Sequence, residues 1–515
     1  MIPAYAFREG PRKPMHMRPA PPGGFPEFRP MQTKNPLSNE IERNIGDYKS
    51  DFTDFTNVYF SEAKDSIRYW LDGVSRGTKE KVKRDIRYAL NRGEFPIGYR
   101  DRYFETSPIT LSLKHRICIL ITAKLAGSGK TVLGGNIMEQ LMNTIDCHVV
   151  LFDSKPEFGE RIRPNQDPAM VQKLMQINRQ IPTIYPRGWE NMVSVAPMFV
   201  TKNIGDTFGG STFRYDLDEM EFSDILTLFD VNQMNKGQNK QTNKLRMAVH
   251  GFKNEDEMQE ALNMGTMDDR EIITSREMVD MFHPRGELKD DSLKTNLYAM
   301  LQAKVIGPST KFDIVDMLNA GLNVQYITKT AADLDMRSKL LAYLSVELKR
   351  ITRARYNCVR REFAQGSKQL KKPIVLYYTE FDGVFPRDPL QPEIKKEIQK
   401  IYDQDRYQNI SIIADTAGIR NVHMVAIKQS DYLLTFKIDG RDLKYMIDER
   451  NISYDQEQQI LGLEADKTNP PFECAVLPAN LDQISRLDTF FPLPPMSAIQ
   501  REQEIRDKVQ TGQLF

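Results

Sequence analysis

The chain has 515 residues, with 71 Lys or Arg against 70 Asp or Glu and a net charge of +1. Hydrophobic residues make up 40% and charged residues 27%, which excludes wholesale disorder and allows a sizeable buried core. The near-neutral balance excludes a nucleic-acid binder of the histone sort and leaves room for a local basic lining.

Residues 1–36 hold nine of the 29 prolines and six basic side chains against Glu9 and Glu27. Such a stretch cannot build a core and reads as a disordered basic arm. Residues 37–107 read as a helical N-terminal region. SIRYWLDGV spaces its apolar groups by three and four, and KEKVKRDIRYALNRG ends on Gly93, a helix-stop residue. From 108 the texture changes. ITLSL and ICILIT are short β-rich runs, followed by a glycine turn, the helical VLGGNIMEQLMNTI and a buried strand, HVVLFD. This βαβ unit predicts a parallel sheet covered by helices. Residues 233–310 read as a polar, Met-rich helical insertion, with NQMNKGQNKQTNK as an exposed loop. Strand NVQYIT and a long helix through RSKLLAYLSVELKRI come next. Strand PIVLYYTEF, helix EIKKEIQKIYDQDRY and strands VHMVAI and YLLTFKI complete an α/β domain over 108–480. Residues 481–515 are read as a C-terminal tail and candidate inter-subunit latch. Within it QISRLDTFF is similar to a clamp-binding peptide, but packing on the motor is the favoured reading.

Cys118, Cys147, Cys358 and Cys474 form no C-x-x-C pair, so zinc knuckles and thioredoxin motifs are excluded. The longest apolar run, Ile117–Ala123, is far short of the roughly 20 residues of a membrane span. The N-terminus has no apolar signal core. A cytoplasmic protein without a membrane span is expected.

The sharpest signal is KLAGSGKT, residues 124–131, between ICILIT and a helix. Gly129, Lys130 and Thr131 fill the last three positions of G-x-x-x-x-G-K-[ST], the phosphate-binding loop of ATP-binding proteins. Leu125, Ala126, Gly127, Ser128 and Gly129 would turn backbone N–H groups inward as an anion nest, at the positive end of the following helix. Lys130 would neutralise the β- and γ-phosphates of ATP, and Thr131 would ligate Mg²⁺. The pattern's first glycine is Lys124.

Hydrolysis needs an acid at the end of a second buried strand. KKPIVLYYTEFDGVFP offers Glu380 as general base. Thr379 stands where an Asp usually supports Mg²⁺ through water, and Asp382 is a candidate substitute. Gln429, after VHMVAI, is a candidate γ-phosphate sensor.

In this order, LKHRICILITAKLAGSGKT, VVLFDSKPEF, IVLYYTEFDGVF and AGIRNVHMVAIKQSDYL resemble the HerA/FtsK superfamily of ring ATPases. The resemblance implies a P-loop NTPase fold of the RecA-like (ASCE) class, α/β, with a parallel sheet, a helical insertion and here a helical N-terminal region. It also implies a homohexamer that hydrolyses ATP with Mg²⁺ and threads double-stranded DNA through its pore. A neighbouring subunit would supply an arginine, for which Arg420 and Arg406 are candidates. The basic run Lys236, Lys240, Lys244, Arg246 and Lys253 is the first place to look for phosphate contacts. Glu157 is a candidate to order the nucleotide site. A nuclease, relaxase or capsid protein would be the partner. Two alternatives keep the fold: a conjugation or secretion-type ATPase that moves protein, and a nucleotide-binding ring module with slow hydrolysis.

Overall fold

A computed structural model describes residues 94–498 apart from 106–107, 113–116, 125–127, 145–146, 155–157, 159–160, 162, 180, 182–183, 190, 202–209, 232–235, 253, 267–270, 283–290, 330–333, 361–366, 388–392, 404–407, 466–471 and 480–485. The basic arm, the helices expected before residue 94, Glu157, Lys253, Arg406 and most of the last expected helix lie outside the described residues.

The chain opens with strands β1 (Glu94–Tyr99), β2 (Pro108–Ser112) and β3 (Cys118–Thr122), then helix α1 (Lys130–Thr144) and strand β4 (His148–Asp153). Next come α2 (Pro168–Asn178), β5 (Met192–Pro197), α3 (Met198–Thr201) and β6 (Ser211–Phe213). A helical stretch holds α4 (Phe222–Leu228), α5 (Lys236–Val249), α6 (Glu255–Met264), α7 (Ser275–Met281), α8 (Asp291–Gln302) and α9 (Ile314–Asn319). Then follow β7 (Asn323–Ile327), α10 (Leu334–Arg360), β8 (Ile374–Tyr378), α11 (Glu393–Asp403), β9 (Ile410–Thr416) and α12 (Met424–Gln429). The chain closes with β10 (Tyr432–Thr435), α13 (Gly440–Arg450), α14 (Tyr454–Leu461), β11 (Cys474–Pro478) and β12 (Asp488–Pro492).

All strands join one sheet in the order β2-β1-β12-β11-β10-β3-β9-β8-β4-β7-β5-β6. From β10 to β6 the neighbours are parallel; from β10 to β2 they are antiparallel. The central strands are apolar because both sheet faces are covered. Every residue of β3 is buried, with Cys118 and Leu120 facing one core and Ile119 and Ile121 the other. β4 and β8 alternate in the same way: Val150, Leu376 and Tyr378 face the first core, Val149, Leu151, Val375 and Tyr377 the second. Helix α1 sends Leu133, Ile137, Met138 and Leu141 into that second core.

Three local expectations change. VHMVAI is not a strand: residues 424–429 form helix α12. The strand in that place is Ile410–Thr416, which carries Ser411, Asp415 and Thr416. Those polar groups are paired inside the fold; Ser411 Oγ, for example, accepts a 3.0 Å bond from Ile117 N. NQMNKGQNKQTNK is not wholly a loop, since α5 begins at Lys236. Burial of Leu245, Ala248 and Val249 outweighs its poor intrinsic propensity. Finally, β1 and β12 lie in the sheet although they fall outside 108–480. In the clamp-like segment Leu487, Phe490 and Phe491 are buried, so packing is its role here. Among the described residues no helix is long and apolar enough to cross a membrane.

Candidate nucleotide site

β3 leads into the glycine loop, and α1 leads out of it. Leu125, Ala126 and Gly127 lie outside the described residues. Gly129 has φ +92°, a left-handed conformation that a side chain would strain. Its carbonyl accepts from Leu133 N at 2.8 Å and closes the first turn of α1. No acidic residue sits in that first turn, so the helix end keeps its positive field. Ser128 is buried, and its hydroxyl has no hydrogen-bond partner among the described residues. An orphaned hydroxyl beside a left-handed glycine and a bare helix N-terminus is a donor set that fits a phosphate. Lys130 and Thr131 are half-buried at that helix start, and Lys130 Nζ donates to Ala123 O at 3.2 Å.

Lys124, where the pattern has glycine, is exposed. Its ammonium pairs with Asp439 at the surface. That hydrogen bond, with help from the Asp442 N–H, pulls the Asp439 carboxyl down to about 2. Asp439 Oδ1 caps α13 by accepting from Asp442 N at 2.8 Å.

Next to β3 lies β9, and next to β9 lies β8. At the end of β8, Glu380 is exposed and has φ 52°, a left-handed conformation in a non-glycine residue. Its N–H donates to Asp415 Oδ1 at 3.3 Å. The other oxygen of Asp415 accepts from the Tyr377 hydroxyl at 2.8 Å. Asp415 is 2% exposed. Burial, with a smaller push from the Glu380 charge, holds its carboxyl above the usual range against the opposing pull of the Tyr377 and Glu380 N–H bonds and the Lys130 charge. Lys130, Asp415 and Glu380 thus gather at the C-terminal ends of three adjacent strands. Asp415 and Tyr377 were not singled out from the sequence. The available signal was the run SIIADTAG, an apolar strand ending in Asp-Thr before a glycine.

Thr379 is turned the other way. Its hydroxyl oxygen accepts from Ser154 N at 2.7 Å, lies 2.9 Å from Ser154 Oγ and 3.3 Å from the carbonyl of Phe152. The metal-water contact expected of Thr379 is replaced by a tie between β8 and β4. Asp382 accepts from Thr416 Oγ1 at 3.0 Å. Among the described residues no three His, Cys, Asp or Glu side chains form a metal-binding group. Mg²⁺ in nucleotide sites is commonly held by substrate phosphates with only one or two protein ligands.

Gln429 requires correction. Its Nε2 donates to Asp403 at 2.5 Å. Two residues on, Asp431 Oδ2 accepts from the N–H of Cys118, the first residue of β3. Gln429 therefore sits at the opposite edge of the sheet from the loop, about 16 Å away by strand rise. It cannot sense a γ-phosphate there. Arg420, just after β9, is on the loop's edge, and its Nε donates to Asp442 at 2.5 Å. In the basic run, Lys240 is exposed, whereas the Arg246 guanidinium packs 4.8 Å from the Phe222 ring centroid.

Small residues let α1 settle onto this site. A Cβ on Gly134 would stand 2.2 Å from the Tyr377 hydroxyl oxygen, and one on Gly135 2.4 Å from Arg161 Cζ. Further along α1, buried Glu139 accepts from Arg161 at 3.1 Å, Trp189 Nε1 at 3.2 Å and Met496 N at 3.1 Å.

In sequence, residues 113–307 match the family described as Helicase HerA, central domain. No curated protein matches the chain. Among solved structures, VirB4 of Thermoanaerobacter pseudethanolicus is similar at 10% identity and TM-score 0.47, over 80% of this chain and 98% of that one. The plasmid coupling protein TrwB, in complex with ADP and Mg²⁺, is similar at 10% identity and TM-score 0.41, over 80% and 95%. The genome packaging NTPase B204 from Sulfolobus turreted icosahedral virus 2 is similar at 17% identity and TM-score 0.21, over 33% and 68%. None of these likenesses reaches a TM-score of 0.5, and none bears on what this chain binds.

Proposed function

We propose, from the match of residues 113–307 to the HerA central domain, that this chain is a P-loop ATPase of the HerA/FtsK superfamily and hydrolyses ATP to drive double-stranded DNA through a homohexameric ring. The observation that carries the catalytic part is the convergence of Lys130, Asp415 and Glu380 at three neighbouring strand ends. The triphosphate would lie in the 125–131 loop against the start of α1, with Lys130 on its outer phosphates. Thr131 would hold Mg²⁺, which draws off negative charge from the phosphate oxygens. Glu380, which is exposed, would accept a proton from the attacking water. Arg420 lies on the same edge and is the arginine proposed to act on a neighbour's phosphates, after release from Asp442. DNA phosphates would be met by α5, through Lys240 and its neighbours, without base reading.

The test is the ATPase rate with and without long double-stranded DNA. A DNA-stimulated rate is expected. Turnover that DNA leaves unchanged would remove DNA as the substrate and favour a protein-moving ATPase. No turnover under either condition would remove the hydrolytic reading itself.

A further inference from the structure

Thr379 brings no charge to the end of β8, and its hydroxyl is committed to β4. A buried carboxylate nevertheless stands one strand over. In register, Asp415 of β9 is level with Ile121 of β3, and Ala414 with Tyr378 of β8. Asp415 is thus inserted between the strand that feeds the phosphate loop and the strand that carries Glu380.

We propose that Asp415 is the positioning carboxylate of this site: it fixes the backbone of Glu380 and supplies, from the neighbouring strand, the negative charge that Thr379 lacks. The proposal rests on the reading of the loop as a nucleoside triphosphate site. Both oxygens of Asp415 are used for that purpose. Oδ1 accepts from Glu380 N at 3.3 Å, and Oδ2 accepts from the Tyr377 hydroxyl at 2.8 Å. The first bond holds a residue whose left-handed φ of 52° needs support. The second locks the carboxylate in plane, because Tyr377 is itself wedged against Gly134 of α1. Buried and shielded from solvent, the carboxylate also faces the Lys130 charge from the neighbouring strand. Neither role needs contact with substrate.

The test compares Asp415→Asn with Tyr377→Phe and the unaltered chain. Asn keeps the shape and an acceptor for Glu380 N but removes the charge. For Asp415→Asn we expect kcat to fall roughly 30-fold or more, with affinity for a fluorescent ATP analogue within about threefold. Tyr377→Phe keeps the charge and the bond to Glu380 N, and should lower kcat less than Asp415→Asn does. In the nucleotide-free protein, Asp415→Ala should speed amide exchange of residue 380 by at least tenfold. An unchanged kcat in Asp415→Asn, or an unchanged amide exchange of residue 380 in Asp415→Ala, overturns the proposal. An unaltered chain without ATP turnover would instead remove the functional reading, and the proposal with it.

Discussion

The Tyr377 hydroxyl donates a 2.8 Å hydrogen bond to buried Asp415, and this pair couples the strand carrying Glu380 to the strand beside the phosphate loop. The same hydroxyl occupies the space that a side chain at position 134 would need. Helix α1, β8 and β9 therefore meet at one phenol. Any change in how α1 sits is felt at Asp415, and through Asp415 at the backbone of Glu380.

Gly134→Ala tests that contact. Alanine improves helix propensity by about 1 kcal/mol. Against this, its Cβ would be 2.2 Å from the Tyr377 oxygen and 2.6 Å from Cζ. Tyr377 is held in β8 and bonded to Asp415, so it cannot yield cheaply. Overpacking should win, with a net loss of roughly 1–3 kcal/mol in urea unfolding. Gly440→Ala, where a Cβ meets nothing within 4 Å, is the control and should be near neutral.

Glu139 anchors the last described segment of the chain to α1. Its Oε1 also accepts from Ser497 N at 3.3 Å and from the Ser497 hydroxyl. Arg161, its ion-pair partner, is only 3% exposed in its side chain. Glu139→Ala would leave that guanidinium buried without its carboxylate, at a cost of about 3–5 kcal/mol. A lowered urea midpoint and faster proteolysis within 493–498 are expected.

A buried carboxyl on α10 should tilt stability with pH. Burial pushes Glu347 up to about 7, against the pull of Arg350 and of the Tyr215 hydroxyl that donates to it; Asp313 and Glu219 push the same way as burial. Tyr326 also faces it, and the Arg350 guanidinium lies 4.5 Å from the Tyr215 ring centroid. A folded value above the ordinary one near 4.5 means that the native state holds this proton more tightly. The contribution is fully present below about 4.5 and is lost as pH rises to about 7. Glu347→Gln should remove this slope, so its urea stability relative to the unaltered chain should improve between pH 5 and pH 8, by about 3 kcal/mol at most. Parallel curves for the two proteins would contradict it.

The phosphate loop and the central strands were legible in the sequence because each is a local pattern. ICILIT is apolar throughout, and GSGKT follows it directly. What was not legible depended on pairing across the sheet. β9 carries Ser411, Asp415 and Thr416, polar residues whose partners on Ile117, Tyr377, Glu380 and Asp382 come from other parts of the chain. VHMVAI is short enough to suit either strand or helix, and taking it for a strand put Gln429 at the wrong edge of the sheet. Thr379 looked available to a metal-bound water, since nothing in the sequence announces its bond to Ser154. β1 and β12 escaped because an antiparallel wing formed from distant parts of the chain leaves no local trace.

The most direct measurement is single-site kinetics of Glu380→Gln, with analogue affinity and turnover determined on the same preparation. The account predicts affinity within about threefold of the unaltered chain and turnover lower by roughly 100-fold or more, the ordinary share of a general base. Turnover that survives the loss of this carboxylate would contradict it.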